Sequence, residues 1–212
     1  MDRFAILFGS VSRGTHNSNS DIDILLLNID ENQASQFIDF SALPKLVVNY
    51  VCYNSITFNK YYLNGSLFLF HVFNEGKLIY GDANEWERVT KGFKVKREFD
   101  SEIGRVRLDA SVYSDINLFS NYYMSAMANF YPIIKNFCIF KLASDSIYEF
   151  DKNTSLKMVC RNAEEYKRLS VLRGCYDVFY RGLSIDNIRV DPASRIAGDI
   201  LTEAFEFVSD YD

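Results

Sequence analysis

The residues best equipped for chemistry lie together near the start of the chain, in FGSVSRGTHNSNSDIDILLL, residues 8–27. Gly9 and Ser10 close one apolar run, and Asp21 and Asp23 open the next. A glycine lets backbone approach a ligand closely, and a serine followed by a helical turn offers a hydroxyl and unpaired amide hydrogens to phosphate oxygens. Two carboxylates two residues apart on a strand point to one face, where they can hold a hard divalent cation whose other positions are filled by phosphate oxygens. Mg2+, or Mn2+, suits such a ligand set. Together the pieces describe a crevice for a nucleoside triphosphate (NTP) and its metal. Each piece alone has a blander reading, since Asp-x-Asp is common in turns and Gly-Ser is weaker still.

Strands and turns must hold these groups. Phe4–Phe8 (FAILF) reads as a central strand covered on both faces, and Asp21–Leu27 as a second whose first residues project polar groups from a sheet end. Asp30 fits the N-cap of a helix reaching about Phe40. Leu46–Tyr53 is the most β-prone run, and Asn54 or Ser55 can cap a helix to Leu63. Ser66–Asn74 is expected as a helix stopped at Gly76, followed by the short strand KLIYG.

From about Trp86 the strand runs vanish and a basic stretch, Arg88–Arg107, begins. Beyond it apolar residues recur at three and four. Val106, Tyr113, Ile116 and Phe119 suggest one helix, and Tyr122–Leu142 a second, partly interrupted at Pro132. Thr154–Leu172 reads as a third helix stopped at Gly174, Tyr176–Leu183 as a short fourth, and Asp191-Pro192 as the cap of a last helix to about Val208. The expected fold is an α/β (α+β) N-terminal domain, residues 1–87, with a small mixed sheet flanked by helices. An all-α helical bundle follows, residues 88–212.

The totals agree with a globular protein: 212 residues, 48% apolar, 16% aromatic, enough for a sizeable core. A net charge of −5 gives no reason to expect non-specific attraction to nucleic acid. Cys52, Cys138, Cys160 and Cys175 are scattered and read as reduced core residues. No apolar run is long enough to span a membrane and no signal peptide is evident, so a cytoplasmic protein is expected.

Read in order, GSVSRGTHNSNSDIDI closely resembles the signature of the DNA polymerase β-like nucleotidyltransferase superfamily, especially its minimal, MNT-type members. Gly9-Ser10, Arg13-Gly14 and Ser20-Asp21-x-Asp23 match the signature, with Ser12 where alanine is commoner. EGKLIYGD, residues 75–82, is similar to the ending of such domains. The resemblance implies Mg2+-dependent transfer of a nucleoside monophosphate from NTP to a hydroxyl acceptor, with pyrophosphate leaving. On that reading Asp21 and Asp23 are catalytic and carry metal, and Gly9, Ser10, Arg13 and Ser20 bind nucleotide. Arg13 has an equal claim to be an exposed structural residue.

The family usually adds a third carboxylate on a neighbouring strand, and the polar position there is Asn49. An amide offers a neutral oxygen but is no base. Asp39, Glu75 and Asp82 are the nearest acids that could stand in. The alternative reading is a weakened nucleotide-binding regulator, or an antitoxin-like partner protein of the kind found beside HEPN ribonucleases. The helical part lacks the histidine of an active HEPN nuclease. His16 could touch phosphate or be solvated, and His71 reads as a core histidine. Expected partners are an NTP, an unnamed acceptor, and a protein or RNA, with no membrane.

Overall fold

The computed structural model describes residues 2–211. The chain divides into two compact units, residues 1–96 and 97–212.

In the first unit four strands, β1 (Phe4–Phe8), β2 (Ile22–Leu27), β3 (Val48–Tyr53) and β4 (Lys77–Tyr80), form one mixed sheet in the order β3-β2-β1-β4. β1 runs antiparallel to both neighbours, and β2 pairs parallel with β3. Every residue of β1 is buried. Its alternation sends Phe4, Ile6 and Phe8 into one core layer with Leu25, Leu27, Phe58, Leu69, Val72 and Trp86. Ala5 and Leu7 go into the other, with Ile22, Ile24, Leu26, Ala34 and Ile38. The apolar runs FAILF and ILLL are therefore what a strand covered on two sides requires.

The helices of this unit are α1 (Gly9–Arg13), α2 (Ser55–Leu63), α3 (Leu67–Glu75) and α4 (Ala83–Gly92). Asn54 caps α2, its Oδ1 accepting from the Thr57 amide at 2.8 Å, and Asp82 caps α4 through the Glu85 amide at 2.7 Å. The helix expected from Asp30 to Phe40 is instead a 3-10 turn, Glu31–Gln36, followed by a second at Phe40–Ala42. Asp30 and Asp39 each bind the amide two residues on, at 2.9 Å. These side chains offer the backbone an alternative to the α-helical ladder, and only Ala34 and Ile38 bury enough to favour a helix there.

The second unit is helical: α5 (Asp100–Ala110), α6 (Met124–Ser144), α7 (Lys152–Val159), α8 (Ala163–Leu169), α9 (Val171–Arg181) and α10 (Arg195–Ser209). The helix expected through Phe119 ends at Ala110 and passes into 3-10 turns, Ser111–Tyr113 and Ile116–Phe119. Pro132 does not interrupt α6, because Ala128, Phe130, Tyr131, Ile134, Phe137 and Cys138 are all buried around it. That packing outweighs the roughly 3 kcal/mol an internal proline costs.

Gly174 likewise lies inside α9, which stops at Gly182 in the left-handed conformation, φ +64°. The single helix expected over 154–172 is broken after Val159, where Asn162 Oδ1 accepts from the Glu164 and Glu165 amides and starts α8. Ser194 rather than Asp191 caps α10. Cys138 and Cys175 are buried, but Cys52 is exposed on β3, an edge strand whose outer flank nothing in the sheet covers.

Candidate active site

The signature stretch occupies one end of the sheet. Chain leaves β1 at Phe8 and turns at once through Gly9, whose φ of +73° is a left-handed conformation that glycine adopts without penalty. A Cβ built on Gly9 would lie 2.7 Å from Asp23 Oδ2. The missing side chain is what lets the Asp23 carboxylate lie over the turn. α1 then carries Ser10, half-buried, with Val11 and Ser12 buried beneath. Gly14, again left-handed at φ +73°, ends it, with its amide and that of Thr15 bonded back to Val11 O and Ser10 O at 3.2 and 3.0 Å.

Asp21 immediately precedes β2 and Asp23 lies within it, so the two share a face by strand alternation. Both are half-buried. Phe8, Asp23 and Asn49 are register partners across three adjacent strands. Asn49 thus stands beside Asp23 on β3, exposed to solvent, and brings an amide oxygen to the edge of the carboxylate pair. Among the described residues no group of three His, Cys, Asp or Glu side chains converges as a metal cluster. Two carboxylates and a neutral amide oxygen in register form an all-oxygen set. It fits a hard cation that shares its shell with phosphate and water.

The acids considered as replacements for Asn49 are engaged elsewhere. Asp39 and Asp82 cap turns or helices. Glu75, the last residue of α3, accepts from Arg13 and, at 3.0 Å, from His71 Nε2. Its main-chain oxygen also accepts the Ser12 hydroxyl at 2.6 Å.

Arg13 therefore turns its guanidinium to Glu75. Burial holds the His71 imidazole below the ordinary histidine value while the Glu75 carboxylate pulls the other way, and the ring packs edge-on against Phe8 at 5.7 Å. Ser20 closes the polar loop, its hydroxyl accepting from the Asn17 amide at 3.0 Å. His16 is exposed in that loop.

Sequence reasoning did not find this Glu75 cluster. The signal available was His71 and Glu75 four apart on one helix, the spacing that brings side chains together.

Residues 3–85 match the family model described as Polymerase beta, Nucleotidyltransferase. The N-terminal unit carries a polymerase beta nucleotidyltransferase domain. It is followed by a helical region, and the match supports a general nucleotidyltransferase role. No curated protein matches the chain. No helix among the described residues is long and apolar enough to cross a membrane.

Proposed function

We propose that the nucleotidyltransferase domain transfers a nucleoside monophosphate from an NTP to a hydroxyl, on a small molecule, a protein side chain or an RNA end. The observation that carries this reading is the meeting of Gly9, Asp23 and Asn49 at one sheet end, with Asp21 two residues before Asp23 and Ser10 on the adjoining turn. Asp21 and Asp23 would hold Mg2+ or Mn2+, with the Asn49 amide oxygen within the same row. Held there, the cation would supply charge neutralisation on the triphosphate and on the leaving pyrophosphate.

The chain's own residues do the rest. Ser10 and the amides of its turn receive phosphate oxygens, and the turn at Gly9 keeps bulk away from the carboxylates. Chemistry of this type is mostly positioning and electrostatics, which suits a rigid sheet end.

A second reading, a regulator or antitoxin-like partner that binds NTP without turning it over, draws its support from Asn49, an amide that cannot take a proton at neutral pH.

The two separate in one assay. The full chain is incubated with each of labelled ATP, GTP, CTP and UTP, with Mg2+ and with chelator, beside Asp21→Ala/Asp23→Ala. Pyrophosphate released by wild type alone and only with metal supports transfer. Binding measured by calorimetry without release supports the regulator. Equal release by both proteins removes the enzymatic claim.

A further inference from the structure

We infer that Glu75 is a positioning residue for the Gly9–Arg13 turn, clamping it to the sheet so that Ser10 is held at the same sheet end as the carboxylate pair. The functional half of this inference rests on the proposed nucleotide site; the mechanical half does not.

α1 has five residues, and Phe8 at its N-cap supplies no side-chain hydrogen bond. Isolated helices shorter than about 12 residues are marginal in water. Something outside the turn must hold it: Val11 is buried in a core layer, and the side-chain hydrogen bonds of Ser12 and Arg13 converge on one residue. The Glu75 carboxylate takes Arg13 from the end of α1, and its main-chain oxygen takes the hydroxyl of Ser12, which is 3% exposed. Glu75 itself is fixed from both sides. One turn back along α3, His71 Nε2 bonds the same carboxylate oxygen, and its ring is seated against Phe8 of β1.

One residue onward the chain is pinched at Gly76. Its amide bonds Val72 O at 2.8 Å, and a Cβ there would lie 2.2 Å from that oxygen. β4 then joins the sheet at once, Lys77 pairing with Leu7. Glu75 is thus bracketed between a core helix and a strand hydrogen-bonded to β1, the strand that feeds the turn.

The side chains of Glu75 and Arg13 are 17% and 25% exposed. Partial burial limits solvent screening, so the pair is stronger than an ion pair on open surface. Arg13 consequently serves the turn through Glu75. A shift of about 1 Å in a positioned group can cost on the order of 100-fold in rate, so slackening the clamp must reach any ligand on Ser10.

The test uses the full chain and Glu75→Ala, Glu75→Gln, Arg13→Ala and the Glu75→Ala/Arg13→Ala pair. Amide exchange over residues 10–15 is read without nucleotide. Affinity for each Mg2+-NTP is read by calorimetry, and urea unfolding reports global stability. Exchange at Gly14 and Thr15 should rise at least tenfold in Glu75→Ala beyond any change in the β1 and β2 amides. The double variant should equal either single one, and Glu75→Gln, which keeps an acceptor oxygen, should recover part of the protection. NTP affinity should fall about tenfold in Glu75→Ala. Should Glu75→Ala unfold, Glu75→Gln and Arg13→Ala carry the same comparison. Unchanged exchange at residues 10–15, or a rise matched throughout the sheet, overturns the clamp. Wild type that binds no NTP, with the exchange result intact, overturns the nucleotide reading and leaves the clamp standing.

Discussion

Asp23 and Asn49 are register partners on parallel strands, one half-buried beside Gly9 and the other exposed at the sheet's edge. The carboxylate pair therefore has a neutral neighbour in register, and that neighbour can be changed without disturbing either core layer.

Asn49→Asp should behave differently with and without metal. Like charges in register on adjacent strands repel, so the variant should lose about 0.5 kcal/mol of stability in chelator. With millimolar Mg2+ it should equal or exceed wild type in melting temperature. Thermal unfolding in the two buffers checks this, and the same loss in both would show that no cation joins the two positions. If transfer is limited by a missing base, pyrophosphate release should rise on the order of 100-fold.

Gly9→Ala and Gly14→Ala separate backbone strain from crowding. Both glycines have φ of +73°, but only at Gly9 would the new methyl meet Asp23 Oδ2, at 2.7 Å; nothing lies within 4 Å at Gly14. Each variant should lose about 1 kcal/mol by urea unfolding from left-handed strain. Gly9→Ala alone should lose more and should also lose Mg2+-NTP affinity. Equal effects on affinity would sink the close-approach argument.

His71 should make stability depend on pH in one direction. Its folded value is depressed by burial, so the unfolded chain binds the extra proton more readily. The contribution is complete above the unfolded value of about 6.5 and is lost as pH falls from there through the folded value. Glu75 and Arg13 face the same ring from α3 and α1, and Glu75 offsets part of the shift. Urea midpoints measured from pH 8 to 5 should therefore fall more for wild type than for His71→Gln, and parallel curves would refute this.

In the helical unit, the Tyr131 hydroxyl is buried without a hydrogen-bond partner among the described residues. A polar atom buried in this way forfeits its hydration, so Tyr131→Phe should leave stability unchanged or raise it by up to about 1 kcal/mol. A loss above 1 kcal/mol by thermal unfolding would mean that the hydroxyl is bonded in solution.

Much of this was legible from residue types and spacing. FAILF and the ILLL end of the second run announced buried strands because both faces are apolar, and Gly9, Asp21 and Asp23 could be expected together because their placement is local to a strand end. What sequence pattern could not supply was competition between local and distant forces. Pro132 and Gly174 are breakers by propensity, yet α6 and α9 run through them because neighbouring side chains are buried. Asp30 looks like a helix cap, yet with little apolar surface to bury the segment after it closes tight turns instead. The Arg13–Glu75 pair joins residues 62 positions apart, which no periodicity reveals.

The connection that delivers β3 to the sheet, residues 28–47, contains two 3-10 turns and no α-helix. β3 is moored to β2 by its ladder and, at the two ends, by Ile22 N to Val47 O and Asn28 N to Tyr53 O, both 2.8 Å. β3 is paired along one edge only, although Val51 and Tyr53 pack on one core layer and Val48 and Tyr50 on the other. Asp23, with Asp21 two residues before it, sits on the inboard side of that seam, on a strand paired along both edges. The acids thus belong to the interior of the sheet and Asn49 to its rim, so a change at residue 49 falls on the one strand of the three that is paired along a single edge.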